Sequence, residues 1–339
     1  MAQLPGDLEQ TLVQLGLLQA GQPVSGEPLT GGVASDIWRV DIAGNSVCVK
    51  RALEQFKVER EWRVSPDRNA YEVAWFEVVA TVAPQAIPRI IAHDPVAGVF
   101  VMDYFSPAEY PLWKSQLRDG VVEQRTIAAV AEILLQIHRS TANNTDIARR
   151  FDTDELFYSL RLEPYFHATA ESHQDLAAQL QGVANMVATN KKALVHGDVS
   201  PKNILVGENG PIILDAECAW YGDPAFDLAF CLNHLLLKGV WNPAARVALA
   251  AGARLMLETY MSGVNWEPPH QMAERVAAIL PALMLARIDG KSPVEYIVDE
   301  PGKAQVREFA RRFLLQRSAS PLELIYAWAD AESGAVVAS

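Results

Sequence analysis

Cysteine is scarce in this chain of 339 residues, and its few cysteines form no pattern. Cys48, Cys218 and Cys231 are odd in number and widely spaced, unlike the ligands of a cysteine metal site. A disulfide framework would need paired cysteines in a small secreted chain. The sequence therefore predicts a reduced, intracellular protein without a cysteine-based metal centre.

Long hydrophobic runs are also missing. The longest, at residues 247–253 and 277–286, are shorter than the roughly 20 residues that cross a membrane. Residues 1–7 do not show the basic start and apolar run of a secretory signal. We therefore expect a cytoplasmic protein that does not bind membranes.

Positively charged residues are also few relative to negatively charged ones. Lys and Arg number 29 against 41 Asp and Glu, which gives a formal net charge of −12. No basic run of the kind that follows a phosphate backbone occurs, so the sequence predicts no nucleic-acid partner. A single nucleotide remains compatible with this balance, because magnesium and a few local cations can supply the positive field.

Half of the residues are hydrophobic, so a chain of this length can form two lobes. Residues 27–104 have the period of short strands, interrupted by one helical stretch at 66–82. A polar, proline-bearing connector follows at 106–111, and the remaining chain has mostly helical periodicity. We therefore expect an α+β protein with one lobe at 1–105, which includes a short leader helix, and a second at 106–339.

The segment 193–217 carries the most specific pattern. An apolar strand leads into His196 and Asp198, Asn203 follows five residues after the aspartate, and Asp215 ends the next apolar strand. Phosphoryl transfer requires a carboxylate that orients the attacking hydroxyl and oxygen ligands that hold magnesium. The protein-kinase catalytic loop has the same spacing. Asp198 fits the first role, and Asn203 with Asp215 fits the second. The alternative is two ordinary surface loops, but such loops would not require an apolar strand, a loop with Asp and Asn, a second apolar strand and a second acid in this order.

Neighbouring polar residues have two interpretations each. Glu217 lies two residues after Asp215 and holds either a second metal or a metal-bound water, unless it is an exposed loop acid. His196 is expected to brace the loop through a backbone hydrogen bond rather than transfer protons. Asp223 precedes a proline at a helix start and is read as an N-cap, and Asp227 as a buried brace of the catalytic loop.

Lys50 ends a short strand in which Val47 and Val49 lie on one face and Cys48 and Lys50 on the other. A lysine at this position can contact the α- and β-phosphates of a nucleotide. The turn before this hairpin, with Gly31, Gly32 and Ser35, is predicted to cover those phosphates with backbone N–H groups.

An acidic residue must hold such a lysine in place. The predicted helix at 66–82 offers Glu72 and Glu77, and Glu72 is the preferred partner of Lys50 because it lies one turn into the helix. The apolar stripe predicted for this helix consists of Tyr71, Ala74, Trp75 and Val78.

The last strand of the first lobe ends at Asp103, Tyr104 and Phe105. Its main-chain groups are candidates to bind an adenine edge, and the alternative is a plain passage from strand to linker. Residues 287–296 place polar groups around a Gly/Pro turn, which is either a capped helix end or a turn that faces the substrate.

Three further polar residues stand alone in the sequence. Arg161, His167 and His234 lie outside these motifs and are interpreted as packing or surface residues.

Together these motifs resemble the aminoglycoside phosphotransferase-like superfamily, which includes choline, homoserine and methylthioribose kinases. The resemblance rests on residues 195–205, 215–217 and 222–229, with support from the strand of Lys50, and it extends over about 25–300. It implies a bilobal protein-kinase-like fold, with a small antiparallel sheet in the N-terminal lobe and a mainly helical C-terminal lobe.

The resemblance also implies ATP and Mg²⁺ as cofactors and a small hydroxylated molecule as acceptor. The nucleotide then binds the lobe at 1–105, and the catalytic loop and substrate site belong to 106–339. By the family pattern, Asp198 is the catalytic base, Asn203 and Asp215 are metal ligands, and Lys50 contacts the phosphates.

The acceptor stays open between methylthioribose, another sugar and an amino alcohol. The Asp-x-Glu sequence at 215–217 is similar to methylthioribose kinases, whereas Ser200 replaces the histidine common in aminoglycoside enzymes. Two other functions compete with a small-molecule kinase. A catalytically silent nucleotide-binding regulator would be expected to have lost Lys50, Asp198 or Asp215, and a protein kinase would carry Asp-Phe-Gly and Ala-Pro-Glu segments. The sequence does not indicate an oligomeric state.

Overall fold

The computed structural model describes residues 2–29, 35–53, 68–318 and 320–330. Within these ranges the N-terminal part is a six-stranded antiparallel sheet with the strand order β1-β2-β3-β4-β6-β5. Its strands are β1 (Ala2–Gln3), β2 (Ser25–Pro28), β3 (Ser35–Ile42), β4 (Asn45–Ala52), β5 (Ile90–Asp94) and β6 (Val99–Asp103).

The two faces of this sheet have different partners. Val47 and Val49 on β4 face the leader helix α1 (Gly6–Gln14) in one apolar cluster, and this side is called the outer face. Cys48 belongs to the second, larger core, and Lys50 lies with it on the inner face. The alternation predicted for this strand is therefore confirmed.

Helix α2 (Arg68–Ala80) lies between the sheet and the helical part. Its Phe76 ring packs 6.4 Å from Phe100 of β6, and its Trp75 ring meets His196 edge-on at 5.0 Å. Of the predicted stripe, Trp75 is buried and Ala74 and Val78 pack partly buried against the core, but the helix is covered on two sides and buries further residues. Its buried side chains are Arg68, Asn69, Glu72, Val73, Trp75, Phe76 and Val79.

The remaining chain is mostly helical, which confirms the predicted α+β bilobal, kinase-like fold. Its helices are α3 (Trp113–Arg118), α4 (Gln124–Thr141), α5 (Thr145–Arg150), α6 (Asp154–Phe157), a π-helix (Tyr158–His167), α7 (Ala168–Ser172), α8 (Ala177–Thr189), α9 (Pro224–Trp241), α10 (Arg246–Met261), α11 (Pro269–Asp289), α12 (Glu300–Gln316) and α13 (Pro321–Asp330). Helix α9 is buried along most of its length and packs against α10 and α11. Within the described ranges, no helix combines the length and the hydrophobicity that a membrane span requires.

Two short two-stranded antiparallel sheets interrupt the helices and carry the predicted catalytic segment. Strand β7 (Ala193–Val195) pairs with β10 (Trp220–Gly222), and β8 (Ile204–Gly207) pairs with β9 (Gly210–Ile213). All three residues of β7 are fully buried, so the loop that follows begins from a fixed position in the core.

Candidate active site

The catalytic loop leaves β7 through a turn that only glycine can form. Gly197 has φ +78°, and a Cβ there would lie 2.7 Å from the Cys218 carbonyl oxygen. The turn is held by Asp227, whose carboxylate accepts hydrogen bonds from the His196 and Gly197 amides at 2.7 and 2.8 Å. These two bonds are the predicted brace. Asp223 caps α9 as predicted, by accepting from the Ala225 amide at 3.0 Å.

His196 also holds the loop. Its Nδ1 accepts a hydrogen bond from the Asp198 amide at 3.1 Å, so the proton of the neutral ring is on Nε2, which donates to the Leu214 carbonyl at 3.0 Å. Burial lowers the pKa of His196 and keeps the ring neutral, although Asp227 and Asp198 act in the opposite direction. The ring thus joins the strand of Asp215 to the loop of Asp198.

Asp198 lies between two cations. Its Oδ2 is 3.2 Å from Arg161 and 3.1 Å from the Lys202 ammonium. Burial alone would raise the pKa of Asp198, but the charges of Lys202 and Arg161 hold it well below its usual range. The carboxylate is therefore ionised at neutral pH and can accept a hydrogen bond from a hydroxyl group.

Arg161 is the main polar residue that the sequence interpretation missed. It is buried on the π-helix, and besides Asp198 it donates a hydrogen bond to the Gly197 carbonyl. Its interpretation as an isolated residue is wrong. The available signal was its place between Leu160 and Leu162, because an arginine on a buried helix face requires a partner. π-helical turns are frequent at functional sites.

Lys50 joins the sheet to the helical part. Its Nζ lies 2.8 Å from Glu72 Oε1 on α2 and also contacts Asp215. Burial would lower the pKa of Lys50, but the charges of Asp215 and Glu72 raise it, so the lysine stays charged. Glu77, the other predicted partner, contacts Arg150 instead.

Asp215 shows the backbone strain often found at functional positions. Its φ is +67°, an uncommon value for a residue other than glycine. Burial would raise the pKa of Asp215, and the charges of Lys50 and Lys202 lower it below the ordinary value. Lys202 acts on Asp198 as well, so one cation serves both carboxylates.

Glu217 is buried and bound by Arg68, whose Nε lies 3.1 Å from its carboxylate. The interpretation of Glu217 as an exposed loop acid is therefore wrong. Burial and the charge of Asp215 raise the pKa of Glu217, against the opposing charges of Lys50 and Arg68. Its predicted part in metal binding stays a prediction.

The remaining oxygen donors fit a magnesium nucleotide. The Asn203 amide nitrogen donates to the Asp198 carbonyl at 3.0 Å, which leaves the amide oxygen as the atom for a metal. In the described ranges no three His, Cys, Asp or Glu side chains form a metal cage. Mg²⁺ does not require one, because it usually combines one or two carboxylates with phosphate oxygens and water.

Other predicted nucleotide contacts are less defined. Gly31 and Gly32 lie outside the described residues, and Ser35 is buried at the start of β3. The Asp103 carboxylate binds Arg89 and lines an open cavity of about 570 Å³ on the outer face of the sheet, together with Tyr104 and Phe105. This cavity lies on the face opposite Lys50. The adenine contact of this segment therefore remains a prediction about main-chain groups.

The turn at 287–296 is held mainly by intramolecular contacts. Arg287 donates to the Ser292 hydroxyl at 2.8 Å and to the Tyr165 hydroxyl at 3.2 Å. Asp289 pairs with His173 and Arg307, each at 2.8 Å. These bonds agree with a capped helix end.

A family model for the phosphotransferase enzyme family matches residues 25–263 of this chain. A methylthioribose kinase of Erwinia tasmaniensis is 28% identical over 226 residues, an alignment that covers 58% of this chain. The chain spans about half the length of that curated relative, 56%.

Solved structures show the same fold at low identity. An ethanolamine kinase of Plasmodium vivax superposes with a TM-score of 0.57 and 11% identity, over 91% of this chain and 88% of its own. A choline/ethanolamine kinase family protein of Mesorhizobium loti gives 0.51 and 17%, over 95% and 99%. With the family model matching more than half of its residues, the chain belongs to the phosphotransferase enzyme family.

Proposed function

We propose that the protein is an ATP-dependent kinase that transfers the γ-phosphate of MgATP to a hydroxyl of a small metabolite. The observation that carries the proposal is a continuous network of charged side chains. Lys50 of the sheet contacts Asp215, and Lys202 acts on both Asp215 and Asp198. A phosphate chain and an attacking hydroxyl would meet in this network.

Asp198 is the residue that orients the acceptor. Its low pKa makes it a weak base, so it accepts a hydrogen bond from the hydroxyl and takes the proton only as the new P–O bond forms. Arg161 and Lys202 fix the carboxylate from two sides. The exposed Lys202 side chain is 51% accessible and can also meet the transferred phosphoryl group.

Asp215 and the Asn203 amide oxygen are the residues that would hold Mg²⁺, which neutralises phosphate charge when it is bound. Lys50 would then contact the phosphates while Glu72 keeps it in place, 2.8 Å away. Glu217 would act on the same metal from its position two residues after Asp215. His196 keeps the two segments in register through its bonds to Asp198 and Leu214.

The names of the relatives supply only a set of candidate acceptor classes. Methylthioribose, other sugars and amino alcohols such as choline or ethanolamine all offer a primary or secondary hydroxyl. A cytoplasmic location is part of the same proposal, because ATP and free metabolites occur there together.

A coupled assay of ATP consumption over these acceptor classes tests the proposal. We expect at least one acceptor to raise ATP consumption well above the rate without acceptor, and the Asp198→Ala and Asp215→Ala variants to show no such increase. MgATP should raise the melting temperature of the wild type. A stabilising effect of MgATP without any acceptor-dependent turnover would favour the silent regulator.

A further inference from the structure

A second group of buried side chains lies on one face of α9, within electrostatic reach of Asp198 at His234. Phe230, His234 and Lys238 follow one another at intervals of four residues and so share this face. The His234 ring lies 5.1 Å from Phe230 and is 5% exposed. Its Nε2 has no hydrogen-bond partner among the described residues.

Arg287 approaches the same face from α11. It is 7% exposed, and its Nε is buried without a partner in the described part of the chain. Burial lowers the pKa of His234 well below its usual value, and the neighbouring charges of Arg287 and Lys238 lower it further. The three basic side chains therefore lie within electrostatic reach of one another. His234, Lys238 and Arg287 are called the basic subsite.

Lys238 is the most unusual member. It is 1% exposed, and its Nζ lies 4.4 Å from the ring centre of Tyr296 and 5.0 Å from that of Trp241. Within the described ranges no carboxylate forms an ion pair with it. Burial and the charge of Lys114 lower the pKa of Lys238 to about 7.

Glu295 is the carboxylate that acts on Lys238, but its own ion pair is with Lys114. This pair is partly exposed, with the Glu295 side chain 62% accessible.

The basic subsite is continuous with the candidate active site. Asp198 and Lys202 both act on His234. Arg161, which binds Asp198, lies over the Tyr165 ring at 5.6 Å, and the Tyr165 hydroxyl accepts a hydrogen bond from Arg287 at 3.2 Å. A molecule whose hydroxyl reaches Asp198 would place its other end toward these groups.

Buried charges normally have partners, because an unpaired charge away from water is costly. Here a chain with a net charge of −12 buries three basic side chains together, and one of them, His234, lies within electrostatic reach of Asp198. Among the described residues, His234 Nε2 and Arg287 Nε have no hydrogen-bond partner. We propose that the basic subsite binds an anionic group of the phosphate acceptor, so that the acceptor is a small hydroxylated carboxylate or phosphate ester. This inference rests on the proposed function and narrows its acceptor class.

Cationic acceptors fit this arrangement poorly. An amino group would meet the charges of Arg287 and Lys238. Lys238 already covers the faces of Tyr296 and Trp241, which are the local aromatic rings that attract a cation. A neutral sugar would leave the same charges without a partner.

Direct binding tests the inference without turnover. The wild type, Lys238→Met and Lys191→Met are compared by thermal shift in the presence of a non-hydrolysable ATP analogue and Mg²⁺. The probes are glycerol, glycerate and glycerol 3-phosphate, and then glucose, gluconate and glucose 6-phosphate. Lys191→Met is the matched control, because Lys191 also lies over a tryptophan ring, that of Trp220 at 6.0 Å, but outside the basic subsite.

We expect an anionic member of a probe series to stabilise the wild type and Lys191→Met, and the neutral member to have little effect. The shift should be lost in Lys238→Met, while the response to the ATP analogue is kept. Carboxylate and phosphate probes separate the two sources of negative charge. Equal shifts for neutral and anionic probes, or the same response in Lys238→Met as in Lys191→Met, would overturn the inference.

Turnover provides the second test. With an anionic acceptor, Lys238→Met should raise KM about tenfold or more, the value of one hydrogen bond between charged groups, with a smaller change in kcat. Arg287→Lys should retain part of the affinity. A neutral or cationic acceptor used with unchanged KM by Lys238→Met contradicts the inference but leaves the kinase proposal intact. Absence of turnover with every acceptor contradicts the kinase proposal, and the binding test still decides the inference.

Discussion

Two buried charged clusters flank Asp198, and they differ in how their charges are balanced. In the first, Lys50 contacts both Glu72 and Asp215, so each charge has an opposite partner. In the second, the basic subsite, Lys238 lies over the rings of Tyr296 and Trp241 and forms no ion pair in the described structure. The first cluster is charge-balanced before any ligand binds, whereas the second has no acidic partner within ion-pair distance of Lys238 in the described residues. The difference in charge balance suits the two clusters to different ligands: a magnesium nucleotide that brings its own cation, and an anion that brings none.

The largest effect is expected at the carboxylate between the two clusters. Asp198→Asn removes the acceptor of the hydroxyl proton and should lower kcat by about 10³-fold, within the range for a general base. Asp146→Asn, an exposed carboxylate on α5, is the control. The assay is coupled ATP consumption with an acceptor found in the screen. A kcat within tenfold of wild type would remove Asp198 from the reaction.

Substitutions in the charge-balanced cluster of Lys50, Glu72 and Asp215 should lower activity almost as much. Lys50→Met should lower kcat/KM by about 10²–10³-fold, because it removes the cation proposed to contact the phosphates. Glu72→Gln should have a smaller effect of the same kind. Glu77→Gln, on the same helix but paired with Arg150, should be close to wild type. Similar losses in Glu72→Gln and Glu77→Gln would contradict the specific pairing.

The pH profile sharpens this point. Burial raises the pKa of Glu72 to about 7, so the carboxylate takes up a proton as the pH falls through 7. We expect kcat/KM to fall below about pH 7, and this acidic limb to be absent in Glu72→Gln. The folded state binds the extra proton between about pH 4.5 and 7, so Glu72 favours folding as the pH falls over that window. If the pH profile of kcat/KM had the same shape in Glu72→Gln as in the wild type, the fall at acidic pH would have to come from a group other than Glu72.

Arg161 tests how firmly Asp198 must be held. Arg161→Gln removes one of its two cations and should lower kcat by about 10–100-fold, while Arg161→Lys should recover part of the activity. Without Arg161 the pKa of Asp198 rises. The loss of kcat that results from protonation of Asp198 should therefore begin at a higher pH. Circular dichroism checks that the variants are folded. An unshifted pH profile in Arg161→Gln would limit Arg161 to a structural role.

The smallest effect concerns stability in the basic subsite. The pKa of Lys238 in the folded protein is about 7, below the ordinary 10.5, so the folded state binds fewer protons than the unfolded state between these values. The contribution of Lys238 to the free energy of unfolding therefore increases as the pH rises over this window. Lys238→Met should stabilise the protein by on the order of 2 kcal/mol at pH 7, and by less at pH 10. Urea denaturation at both pH values measures this, and destabilisation at pH 7 would contradict an uncompensated charge.

Several features could be predicted from local sequence. The face on which Lys50 lies follows from strand period, and the Asp223 cap follows from the proline after it. The choice of Glu72 over Glu77 succeeded because its position one turn into the helix follows from chain order. The predicted stripe of α2 was incomplete, since the sequence of a helix does not show that it is covered from two sides.

The sequence by itself determined the family, the antiparallel sheet with its helical partner, and the His196–Asp198–Asn203–Asp215 spacing, because these depend on short-range pattern. Only the tertiary structure brought Arg161 to Asp198 and Arg68 to Glu217, over separations of 37 and 149 residues. It alone placed α9 and α11 so that Lys238 and Arg287 act on one histidine. Packing fixes the contacts between distant segments. The role of a buried charged residue can therefore be inferred only once its neighbours in the folded protein are known.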